Sequence, residues 1–115
     1  MTDLLALMAA RQAGLDAGDR AAAHADRVTP GWRRRAINFV YRYARTHHQF
    51  RAEQVRAEAE ARGLPLPPDR RAWGGIMRWA ERMGMIVAVK KEGGIAAHGS
   101  DVTLWQSRVF EGVPA

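Results

Sequence analysis

Six residues, Leu64-Pro65-Leu66-Pro67-Pro68-Asp69, constrain everything on either side of them. Three prolines fix φ near about −65° and remove three backbone donors, so no helix can run through this stretch. The sequence before and after it carries helical periodicity. The chain must therefore hold separate helices joined by a stiff turn, with Asp69 placed to cap the one that follows.

Upstream, the spacing predicts a helix from Trp32 to about Thr46. Trp32, Ala36, Ile37, Phe39, Val40, Tyr43 and Ala44 share one side at about 100° per residue, and Arg34, Arg35, Asn38, Arg42 and Arg45 share the other. Thr29 and Pro30 are its expected N-cap and first-turn residues. His47 to Phe50 break the pattern as a short link, with Phe50 the inward anchor. A shorter polar helix over 51–63 follows, with Ala52, Val55 and Ala59 inward and Gly63 ending it.

Downstream, residues 70–84 read RRAWGGIMRWAERMG, a helical pattern interrupted by two glycines that each cost roughly 1 kcal/mol against alanine. With Trp73 as the zero of a helical wheel, Ile76, Met77, Ala80 and Met83 gather around it as a core stripe. Arg71, Gly75, Arg78 and Arg82 fall opposite. On this wheel Gly75 lies among outward arginines, where it either lets the backbone approach DNA or lets Arg71, Arg78 and Arg82 lie flat, and Gly74 lies on a packing flank. Trp79 falls at the boundary. Residues 85–91 and 102–109 are strand-like and enclose a glycine-rich loop, giving a hairpin with a long tip in which Trp105 belongs to the core.

Residues 1–28 form a helical arm: Leu4, Leu5, Met8 and Leu15 recur at helical spacing, but Gly14, Gly18 and an alanine-rich second half make it helical only when packed. At 115 residues there is room for one domain with a modest core. The expected organisation is the arm (1–28), a domain over 29–109 and a tail over 110–115. The fold class is mainly α with a small β-hairpin, an α+β fold.

The order after the arm is helix, extended link, helix, turn, helix, strand, loop, strand, which is that of a winged helix-turn-helix. Residues 32–107 resemble a winged-helix domain, and RAWGGIMRWAERMGMIVAV with HGSDVTLWQS is similar to small winged-helix proteins encoded by phages and prophages. The resemblance implies that the third helix, about 69–83, enters the DNA major groove and that the hairpin wing, about 90–101, lies on the backbone.

Charge agrees with an anionic partner. The chain carries +6 with a pI near 11.0. The first 27 residues carry −1 and the remainder +7. Guanidinium forks at Arg71, Arg78 and Arg82 suit phosphates and guanine edges, and Arg70 suits a phosphate at the helix start. Lys90 and Lys91 suit phosphate contacts that orient the protein without reading sequence. Double-stranded DNA is the expected partner, in transcription regulation or in phage DNA replication or recombination. The alternative is a winged-helix interaction module that docks on an acidic host or phage protein, acting as an inhibitor or adaptor. The arm offers a contact for such a partner or for a homodimer, which would set two third helices on half-sites about one helical turn apart.

Little in the sequence speaks for catalysis or metal binding. There is no cysteine, so no disulfide, thiolate zinc site or thiol nucleophile. His47 and His48 are adjacent, and His24 and His98 stand apart with no HExxH pattern. Glu53, Glu58 and Glu60 are expected to pair with Arg56 and Arg62 along a surface helix. Serine occurs only at 100 and 107, outside any GxSxG context, and no phosphate-loop motif is present. No apolar run approaches the roughly 20 residues that span a bilayer. The expectation is a non-enzymatic protein in the cytoplasm of a bacterial host, nucleoid-associated if it binds DNA, with no cofactor, metal or membrane partner.

Overall fold

The computed structural model describes residues 17–93 and 101–112. Residues 17–28 are helical (α1) and are followed by α2 (Trp32–Thr46), β1 (Gln49–Phe50), α3 (Ala52–Ala61), α4 (Arg71–Arg82), β2 (Ile86–Gly93) and β3 (Asp101–Ser107). The fold is mainly helical with a small antiparallel sheet in the order β1-β3-β2. The arm's residues 1–16, with Leu4, Leu5, Met8 and Leu15, lie outside the described residues, as do the hairpin tip at 94–100 and residues 113–115.

One core draws on every described helix. Trp32, Ile37 and Val40 of α2, Val55 and Ala59 of α3, and Trp73, Ile76 and Met77 of α4 close on Phe50, Ile86 and Trp105 from the sheet. Trp32 and Trp73 meet edge to face at 5.5 Å between ring centroids. The Trp32 indole donates to the Pro65 carbonyl at 2.9 Å, so the proline turn is fastened to α2 by the oxygen its own prolines leave without a helical partner. Ala21, Ala22 and Ala25 of α1 are buried in the same core, so this half of the arm packs on its own domain.

The helix boundaries follow local chemistry, with three departures from the sequence expectation. The N-cap of α2 is Gly31, at φ 87°, rather than Thr29. The Arg33 N–H is accepted by the Asp26 carboxylate at 3.1 Å, so the end of α1 supplies the side-chain cap that Thr29 was expected to give. Met83, expected in the core stripe, is 60% exposed, because α4 ends at Arg82 and Gly84, at φ 80°, turns the chain before Met85 and Ile86 return to the interior. The link at 49–50 is a third strand: Gln49 and Phe50 pair with Gln106 and Trp105. Its two residues are too few for periodicity to reveal.

Other expectations match in whole or in part. The N-cap of α4 is Arg70 rather than Asp69, but the Asp69 carboxylate still accepts the Arg71 N–H at 2.9 Å from one residue earlier, and Gly63, at φ 97°, follows α3 as expected. On α3, Arg62 pairs with Glu58 at 2.9 Å and Arg56 with Glu60 at 3.6 Å, the i, i+4 bridges expected there. The β2–β3 ladder carries a bulge between Ala88 and Lys90, opposite Trp105 and Leu104. Buried Ser107 donates its hydroxyl to the Ala44 carbonyl at 2.6 Å and accepts the Val109 N–H at 3.1 Å, locking the end of β3 to the end of α2. The tail is clipped back by a 2.6 Å ion pair from Arg45 to Glu111.

Candidate nucleic-acid interface

Two surfaces meet α4. Its core side carries Trp73, Ile76, Met77 and Ala80, and its second buried side receives α1 at Gly75. A Cβ placed on Gly75 would lie 2.5 Å from the Gly18 carbonyl oxygen and 2.8 Å from its carbon, so the two helices touch backbone to backbone at a glycine pair. This corrects the face assignment drawn from the wheel: Gly75 is the packing glycine. Gly74 is the exposed one, where a Cβ would have nothing within 4 Å. Taking Trp73 as the only packing direction hid the second partner, α1.

The same contact repositions Arg78. Its guanidinium pairs with Asp19 of α1 at 2.9 Å and its side chain is only 15% exposed, so it sits at the rim where α1 meets α4. Arg71 is exposed but engaged: the Asp69 carboxylate takes its Nη2 at 2.7 Å and its Nε at 2.9 Å. These hydrogen bonds hold the Asp69 carboxyl below the usual carboxylate range and push the Arg71 guanidinium further up. Arg70 and Arg82 are exposed at the two ends of the helix.

With α1 and the core accounted for, the exposed arc of α4 runs through Arg70, Arg71, Gly74, Glu81 and Arg82, with Arg78 at its edge. On a wheel with Trp73 at zero it spans about 60° to 180°, with Gly74 at about 100°, so its middle is turned roughly 50° from the sector opposite Trp73. Glu81 introduces one carboxylate among the guanidinium groups, a feature the arginine pattern alone passed over. Lys90 and Lys91 fall on β2, paired in register with Leu104 and Thr103. Trp79 is half-buried at the boundary, as expected, with the Arg33 guanidinium 5.2 Å from its ring centroid.

A second feature escaped the sequence reading. An open groove of about 1040 Å³ runs between α2 and α3, lined by Arg35, Asn38, Arg42, Tyr43, His47 and Arg62 among others. The Tyr43 and His47 rings lie parallel, 3.8 Å apart with 1° between their planes. Burial, and to a lesser degree the nearby Glu58 carboxylate, push the Tyr43 phenol up, so it stays protonated. The spacing of Phe39, Tyr43 and His47 at i, i+4 and i+8 was the available signal.

Among the described residues, no three His, Asp or Glu side chains converge as a metal site, and no helix is long and apolar enough to cross a membrane. No family model, curated protein or solved structure matches the chain.

Proposed function

We propose that the protein is a non-enzymatic winged-helix protein that binds double-stranded DNA, with α4 in the major groove and the β2–β3 hairpin on the adjacent backbone. The observation that carries this reading is the exposed arc of α4, where a bare glycine backbone at Gly74 has Arg70 and Arg71 one turn before it and Arg82, beside Glu81, about two turns after it. Arginine forks beside an unobstructed helix backbone suit close approach to phosphates and base edges. The element order and the β1-β3-β2 sheet support the same reading, since a strand between the first two domain helices and a terminal hairpin are what a winged helix requires. The resemblance to small phage and prophage proteins favours a role in transcription regulation or in phage DNA replication or recombination.

Compared with the expectation from sequence, the interface turns away from Gly75 toward Gly74, and Arg78 becomes a rim residue. Replacing Arg71 and Arg82 together by alanine should weaken duplex affinity at least tenfold and lower the slope of log affinity against log salt by about 2. An unchanged slope overturns the proposal.

One observation favours a second reading, docking on an acidic protein surface. Arg71 and Arg78 already hold carboxylates, from Asp69 and Asp19. Under that reading an acidic peptide displaces duplex from the wild-type chain, and the arginine variants lose both ligands in parallel.

A further inference from the structure

The groove between α2 and α3 is unrelated to the α4 arc and combines two kinds of group. One wall of α2 presents Arg35, Asn38 and Arg42, all exposed, over a helical rise of about 10 Å. Arg35 and Arg42 have no ion pair among the described residues, whereas Arg62 across the groove is bridged to Glu58. Beside them runs an aromatic ladder on the same helix. Phe39 and Tyr43 are 6.2 Å apart between ring centroids, and Tyr43 is stacked under His47.

The ladder is held rather than loose. Tyr43 also meets Phe50 edge to face at 5.1 Å, which ties it to the core. His47 Nδ1 lies 3.0 Å from both the Tyr43 carbonyl and the Thr46 hydroxyl, which keeps its ring flat on Tyr43. Its residue is exposed, so the stack is available for extension by another planar ring.

We infer that this groove is a binding site for single-stranded nucleic acid, with the backbone phosphates along Arg35 and Arg42 and a base stacked on His47. Charge complementarity selects a polyanion. The stacked ring pair beside the cations selects one that carries planar bases, because stacking platforms along a positive groove are how unpaired strands are held without sequence readout. A duplex keeps its bases inside its own stack and cannot use the ladder. The site stands whether or not α4 binds duplex.

The probe is a fluorescein-labelled dT12 oligonucleotide, titrated with the full chain and read by anisotropy at low and moderate salt. Arg35→Ala with Arg42→Ala should weaken dT12 binding at least tenfold and flatten its salt dependence. His47→Ala should weaken it about tenfold with the salt slope unchanged, since stacking releases no counterions. Thermal melts by circular dichroism verify that both variants stay folded; these positions are exposed, so a shared collapse is not expected. Arg71→Ala with Arg82→Ala should leave dT12 affinity within twofold, which separates this site from the α4 arc. The inference is overturned if the wild-type chain does not bind dT12 at low salt. It is also overturned if the α4 variant loses dT12 as fully as the groove variant, or if His47→Ala is silent while a polyglutamate peptide competes as well as dT12 does.

Discussion

The two flanks of α4 carry neighbouring glycines in opposite surroundings. At Gly75 a methyl group would collide with the backbone of Gly18, while at Gly74 it would meet open space. Arg78, whose guanidinium reaches α1, is mostly withdrawn from solvent and bridged to another helix; Arg71, in the first turn, is 69% exposed in its side chain and bridged only to its own N-terminal turn. A helix packed from two directions leaves as its exposed face whatever remains. That face need not lie opposite the larger core residues.

The sharpest break of this contrast is Gly75→Ala. Neither Gly18 nor Gly75 has a side chain that can rotate away, so relief requires α1 to shift along or away from α4. The expected loss is about 3 kcal/mol, at the upper end of overpacking costs, read as a lower midpoint in urea unfolding. Gly18→Ala meets the Gly75 nitrogen at 3.1 Å and the Arg71 oxygen at 3.3 Å, a milder conflict. It should cost about 1 kcal/mol. Equal midpoints for Gly75→Ala and wild type would mean that α1 does not seat on α4.

Next in size is the ion pair on the same flank. Asp19→Asn removes the carboxylate that Arg78 holds at 2.9 Å, and because the Arg78 side chain is largely buried the loss should be about 1 kcal/mol, near the top of the range for partly exposed pairs. The check is the urea midpoint at two salt concentrations. An effect that persists in salt marks a desolvated pair, and one that vanishes marks a surface pair like Arg62–Glu58.

Much of the architecture was legible in the sequence because it depends on local rules. The proline turn, the Asp69 contact at the start of α4, the inward residues of α2 and α3, the Phe50 anchor and buried Trp105 all follow from periodicity and backbone chemistry within a few residues. The candidate site was less legible because it depends on what α1 covers. Gly18 and Gly75 are 57 residues apart, and nothing in either local pattern pairs them. Similar separations hid Asp19 as the partner of Arg78 and the short strand at 49–50 as the partner of β3. The α2–α3 groove needed the placement of α3, although the aromatic spacing along α2 was visible.

On the bare flank the sign reverses. Gly74→Ala adds a methyl group in open space within a regular helix and removes backbone freedom from the unfolded chain, so it should raise stability by about 0.5 kcal/mol. If α4 approaches duplex through this glycine, the same variant should bind DNA several-fold more weakly. Stabilisation with unchanged affinity would keep the packing contrast and remove Gly74 from the interface.

The smallest effect on stability belongs to Asp69, whose carboxyl is held below its usual range chiefly by the hydrogen bonds from Arg71. A depressed carboxylate stabilises the fold above its ordinary pKa, near about 4, and that contribution is lost as the pH falls through its folded value. The difference in melting temperature between wild type and Asp69→Asn should therefore be present at pH 7 and close on acidification below about pH 4. It should also shrink in salt, since the pair is exposed. At pH 7 the variant also releases Arg71 and removes a negative charge beside the proposed interface. Under the duplex-binding proposal it should bind DNA more tightly than wild type while being slightly less stable, an opposition that a purely structural Arg71–Asp69 pair does not produce.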